Sequence, residues 1–109
     1  MKEKWKDILT TRYDDVVGIK LVDFCPYYKR FVNNILSLMD RKLSKIELQV
    51  VKDEIDEDLD NMAEMSRYAI QFIISNWTDY FDEMIEDCLD GELYEIAHNI
   101  KEIRQHLAL

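Results

Sequence analysis

Residues 53–61 read DEIDEDLDN and place six carboxylates among nine residues. Carboxylates at that density have three uses: ligating a divalent cation, facing a basic partner, or keeping a helix face in water. A calcium loop needs oxygen ligands at positions 1, 3 and 5, a glycine at 6 for the sharp turn and a bidentate glutamate at 12. Counted from Asp56, the residues Asp56, Asp58 and Asp60 meet the first requirement, but Asn61 replaces the glycine and Arg67 the final ligand. Counted from Asp53, Glu64 takes the last position but Ile55 stands where an oxygen is required. Neither register builds an EF-hand loop.

A second carboxylate pattern is EIDE at 54–57 followed by EMIE at 83–86. Residues three apart share one side of a helical turn, so each ExxE offers two oxygen ligands to a hard cation. The spacing resembles that of the all-helical nucleotide pyrophosphohydrolases, which hold magnesium with an ExxE and a later ExxD. Glu86 departs from that pattern, because aspartate is expected there. The resemblance implies magnesium held by Glu54, Glu57, Glu83 and Glu86, and a metal-activated water attacking a phosphate. No Lys or Arg close in sequence is placed to hold a triphosphate. This Mg-dependent enzyme is the alternative to a binding function, and a structural helical subunit without catalysis is a third reading.

Glu95 and His98 form one ExxH, half of the unit that di-iron bundles use twice. His98 falls off the apolar stripe of its segment, which favours an exposed polar face shared with Glu102 and His106. Nucleophilic chemistry has no support: there is no nucleophile elbow and no Gly-rich phosphate loop, and the two His and two Cys share no motif. Cys25, in FCPYYKRF, reads as a small core residue beside aromatics. No catalytic residue, metal or cofactor is therefore expected.

The remaining use is the charge itself. The net charge of −9 is unevenly spread: residues 1–52 carry +4, residues 53–95 carry −14 and residues 96–109 carry +1. An acidic block of that size argues against direct contact with nucleic acid or an anionic membrane, and its counterpart is a basic protein surface. The candidate face comprises Asp53, Glu54, Asp56, Glu57, Asp58 and Asp60, then Asp79, Asp82, Glu83, Glu86, Asp87 and Asp90. On helices these groups are spaced at one charge per roughly 2–3 Å, comparable with the one per about 3.4 Å of a DNA strand. The expectation is a small cytoplasmic inhibitor that imitates nucleic acid and blocks a nucleic-acid-binding enzyme. Lys2, Lys4, Lys6, Lys29, Arg30, Arg41, Lys42 and Lys45 suggest instead that a second copy supplies the basic surface, in a salt-sensitive homodimer. Twelve Ile against four Ala, and nine Lys against five Arg, suit an AT-rich bacterial or phage genome.

The elements that must position these groups are helices. Two glycines and one proline in 109 residues leave almost none of the punctuation that strand turns require. The expected fold is all-α, a single domain of about six short helices. Leu93, Ile96, Ile100, Ile103 and Leu107 make a final amphipathic helix, and Glu92, Glu95, Arg104 and His106 suit its dipole. SKIE at 44–47 is a capping box, with Leu43 and Leu48 as its hydrophobic staple. From there one apolar phase runs to Trp77, a rod of roughly 45 Å if unbroken. A break at Asp60 and Asn61, with Glu64 closing a new cap, keeps the chain compact; an unbroken rod requires a dimer.

Pro26 opens a helix carrying Tyr28, Phe31, Val32, Ile35 and Met39. Gly91 closes, as a left-handed cap, one carrying Trp77, Tyr80, Phe81, Met84, Cys88 and Leu89. AIQFII at 69–74 is expected to be the most buried segment, and RYDDVVGIKLVDF a helix capped by Thr11 with Asp14. Met62, Met65, Tyr68 and Phe72, with the aromatics that follow, are read as core, with a partner groove as the second use. No secretory leader or membrane span is apparent, and two distant cysteines suit a reducing compartment.

Overall fold

Pro26 can open a helix because its ring fixes φ near the helical value and its missing N–H is one that a first turn leaves unpaired. The computed structural model describes residues 1–11 and 18–109, and it starts helix α3 (Pro26–Ser37) at this residue. Before it come α1 (Lys2–Thr10) and a single turn, α2 (Leu21–Phe24). After it come α4 (Lys45–Met65), α5 (Arg67–Asp90) and α6 (Tyr94–His106). The described residues contain no strand, which agrees with the all-α expectation, and IKLVDF contributes the α2 turn. Of the helix expected over RYDDVVGIKLVDF with Thr11 and Asp14 as its cap, residues 12–17 lie outside the described residues, and of residues 18–24 only Leu21–Phe24 is helical. Helix α1 has no counterpart among the expectations, because its nine residues carry only two buried anchors, Trp5 and Leu9.

Ser44 caps α4 as its sequence requires. Its hydroxyl accepts the Glu47 N–H at 3.1 Å, and the Glu47 carboxylate accepts the Ser44 N–H at 3.0 Å. Leu43 and Leu48, the staple pair, are both buried. The break between the two long helices falls at Ser66 and not at Asp60 and Asn61 as the sequence suggested. Ser66 is extended (φ −151°, ψ 101°), and its hydroxyl caps α5 by accepting the Ala69 N–H at 3.3 Å. Ile55, Asp58 and Met62 are all buried in one phase, which carries α4 straight through Asn61. The true cap has Ala69 where a capping box has Glu or Gln, so it leaves no box in the sequence.

The second correction concerns the end of α5. Gly91 has φ −88°, and the left-handed residue is Glu92 at φ 58°. The Glu92 N–H bonds the Leu89 carbonyl at 3.2 Å and the Leu93 N–H bonds the Cys88 carbonyl at 2.7 Å, the two bonds of a Schellman motif. A non-glycine residue in that conformation carries a penalty of about 1 kcal/mol. Glu92→Gly is therefore expected to raise the melting temperature by several degrees in a calorimetric scan. Gly91→Ala should be tolerated, because a Cβ there meets nothing closer than 3.5 Å.

The helices close around an aromatic centre. Trp77 of α5 meets Phe31 of α3 edge-on at 4.8 Å between ring centroids and contacts Tyr28, Tyr80 and Phe81 at 5.5–6.4 Å. Trp5 brings α1 onto the same cluster through Tyr80. The Lys52–Glu102 and Asp56–His106 pairs advance together along α4 and α6, so these helices run parallel. The Asp82–Arg104 pair ties α6 back along α5. The radius of gyration is 13.5 Å, close to the value of about 13 Å for a compact chain of this length.

Burial is less complete in AIQFII than its composition suggests: Ala69, Phe72 and Ile73 are buried, whereas Ile74 is 63% exposed. An apolar run longer than the face a helix can bury leaves its surplus outside. Among the described residues no helix is long and apolar enough to cross a membrane.

Candidate functional site

A helix in contact with a core on one side sorts its charges by phase. On α4, Asp53, Glu57, Asp60 and Glu64 follow one another at intervals of four, three and four residues and are all exposed. On α5, Asp79, Glu83, Glu86 and Asp90 repeat the same intervals and are also exposed. Each set lies on the side of its helix away from the buried residues. The acidic block therefore presents two outward ridges, one on α4 and one on α5. Glu64 was absent from the face expected from sequence; its signal was the interval from Asp60.

Of the twelve carboxylates assigned to that face, eight form no ion pair among the described residues: Asp53, Glu54, Glu57, Asp60, Asp79, Glu83, Glu86 and Asp90. Asp53 accepts a hydrogen bond from the Gln49 amide at 2.9 Å. The other four are used internally. Asp56 lies 2.8 Å from His106 Nε2, and Asp82 lies 3.1 Å from Arg104. Asp87 accepts from Lys4 Nζ at 2.8 Å and from Trp5 Nε1 at 3.0 Å. Those bonds, from Lys4 first, hold the Asp87 carboxyl below its ordinary range and fasten α1 to α5.

Asp58 is the clear departure from the expected face. It is fully buried, with Arg30 Nε of α3 at 3.4 Å; among the described residues neither carboxylate oxygen makes a hydrogen bond of ordinary geometry, although the Asn34 side chain also favours its charged form. Its place in an acidic run concealed that its phase, shared with Ile55 and Met62, points into the bundle. Burial pushes the Asp58 carboxyl up, and the Arg30 charge offsets only part of this. The native state therefore binds this proton more tightly than the unfolded chain. Its contribution to stability is complete below the ordinary value of 3.8 and is lost as pH rises through the elevated native value. Asp58→Asn keeps the shape without the charge, and is expected to stabilise the fold by about 1 kcal/mol near pH 7. Urea unfolding near pH 4 and near pH 7 checks this; a variant less stable at the higher pH would mean that attraction to Arg30 outweighs burial.

The basic residues proposed as a surface for a second copy are partly occupied within the chain. Lys2 pairs with Asp40, Lys4 with Asp87, Arg30 with Asp58 and Arg41 with Glu47. Arg41, with help from the Ser44 N–H, lowers the Glu47 carboxyl to about 2. The stability Glu47 contributes is present above its ordinary value of 4.5 and is lost as pH falls toward about 2.

The two ExxE turns do not meet. Glu54 and Glu57 are on α4 and Glu83 and Glu86 on α5, all exposed, and no group of three or more metal-binding side chains converges among the described residues. His98 is exposed beside Glu102, with 3.9 Å between His98 Nε2 and the carboxylate. Cys25 and Cys88 are buried thiols; burial, with Asp87 alongside, pushes the Cys88 thiol up.

Fold and exterior together define an all-α helical bundle with two outward acidic ridges. No protein-family model matches the chain, and neither the curated proteins nor the solved structures contain a significant match.

Proposed function

We propose that this chain is a small protein-binding module whose outward carboxylates engage a basic surface of another protein, in competition with nucleic acid. The observation that carries the reading is the pair of ridges left without an ion-pair partner among the described residues, while four neighbouring carboxylates are engaged by side chains of other helices. Like charges three and four residues apart destabilise a helix by a few tenths of a kcal/mol per pair, and a face kept merely for solubility has no need of them. Each ridge presents one carboxylate per about 5 Å, sparser than the phosphates of a DNA strand. A convex carboxylate ridge of that kind suits a groove lined with Lys and Arg, where it acts as an inhibitor by occupancy.

The test pairs stability with binding. Neutralising the α4 ridge, with Asp53→Asn, Glu57→Gln, Asp60→Asn and Glu64→Gln together, is expected to raise the melting temperature and to abolish capture of partners from the source cell. Partners held by the unaltered chain should elute as salt rises and be displaced by duplex DNA. Equal capture by the neutralised variant, or capture indifferent to DNA, overturns the reading.

A further inference from the structure

The outer side of α4 changes character along its length. Its first two turns expose Ile46 (80%) and Val50 (51%), the one carboxylate there, Glu47, is paired with Arg41, and the carboxylates without an ion pair among the described residues begin only at Asp53. Beside Ile46 and Val50 a groove of about 340 Å³ opens between α4 and the end of α3, with buried Leu43 and Val51 beneath it. The charged residues on its rim are already matched, Arg41 by Glu47 and Asp40 by Lys2. An apolar side chain entering the groove therefore strips no unpaired charge of water. About 10 Å further along the helix, two turns from Val50, Glu57 has no ion-pair partner among the described residues, and neither do Asp53, Glu54 and Asp60 on either side of it.

Resting on the binding function proposed above, we infer that the α4 edge, and not the α5 ridge, is the docking surface, and that its occupant is an amphipathic helical segment of a basic protein. The segment places one or two aliphatic side chains on Ile46, Val50 and Leu43, and Lys or Arg about two turns away against Asp53, Glu54 and Glu57. Aliphatic anchors seated in a groove supply affinity, and the carboxylates supply approach rate and register. A second copy is a poor occupant. A two-fold axis at Val50 would lay each copy's Glu54 on the other's Ile46 and set each Asp53 against the other's Glu47, burying two charges and opposing two pairs of the same sign.

The probe is a short labelled helical peptide with two leucines one turn apart in one half and lysines in the other; its control has serines for the leucines. Backbone amide shifts of the full chain should move at Leu43, Ile46, Val50 and Val51 and along the α4 ridge with the first peptide, and along the ridge alone with the control. The leucine peptide should bind about tenfold more tightly, and Ile46→Ser with Val50→Ser should remove that advantage while leaving the control unchanged. Both substitutions are at exposed positions, and circular dichroism verifies the fold. Equal affinity of the two peptides, with shifts confined to the ridge, overturns the groove and leaves the acidic module standing. Binding of neither peptide overturns both. Concentration-dependent shifts at Ile46 and Val50 without peptide assign the groove to a second copy and overturn the inference.

Discussion

Replacing Asn99 by leucine is expected to lower the melting temperature by more than about 10 °C, from the loss of roughly 3 kcal/mol. Asn99 is fully buried on α6 and makes three hydrogen bonds to the chain between α3 and α4. Its Oδ1 accepts the Leu43 N–H at 3.2 Å, and its Nδ2 donates to the Leu38 carbonyl at 3.0 Å and the Arg41 carbonyl at 2.7 Å. That stretch has no helix or strand of its own to satisfy these backbone groups. Leucine fills the space but leaves one donor and two acceptors without partners, each costing about 1–3 kcal/mol where water cannot enter. The effect reaches the proposed docking edge, because Leu43 lies beneath the groove and immediately precedes the cap of α4. Denaturant unfolding of the variant, beside the exposed control Asn33→Ala, checks the prediction. A loss no larger than the control's would mean that water or the loop itself replaces the amide.

Trp77→Ala is expected to cost about 4 kcal/mol, enough to leave a domain of ordinary stability partly unfolded. Trp77 is fully buried and is the ring to which α3 and α5 both contribute partners. Alanine removes the largest apolar surface at the centre and leaves a cavity that rigid neighbours such as Phe31 and Phe81 fill poorly. The near-UV dichroism should collapse while much of the far-UV helix signal remains. Trp77→Phe should cost far less, because it keeps an aromatic edge for Phe31 and removes an indole N–H that has no hydrogen-bond partner among the described residues. Equal losses for the two variants would show that the indole, and not ring packing, matters.

Much of this architecture was legible because it is local. The capping box at Ser44 and Glu47, the Leu43–Leu48 staple and the opening of α3 at Pro26 depend on residues within one turn of each other, and each forms as its spacing requires. The absence of strand punctuation was enough for an all-α chain. Local rules misplaced the break between α4 and α5 because Ser66 caps without a partner glutamate. They also assigned the left-handed residue to Gly91, when the chain stays helical one residue longer and turns at Glu92.

The site was legible as composition and not as arrangement. Sequence alone established that residues 53–95 carry an excess of carboxylates on helices, since charge count and helical period are properties of the chain itself. It could not sort those carboxylates. Asp58 differs from Asp60 only in helical phase, and phase acquires meaning when α3 arrives with Arg30 and closes over it. Asp56, Asp82 and Asp87 were indistinguishable from their neighbours until α6 and α1 brought His106, Arg104 and Lys4 within reach. Asn99 gave no signal, because its partners are more than fifty residues away. Helix formation follows from contacts within a few residues. Which charges are cancelled, which are buried and which stand outward follows from contacts between helices, and only the tertiary structure decides those.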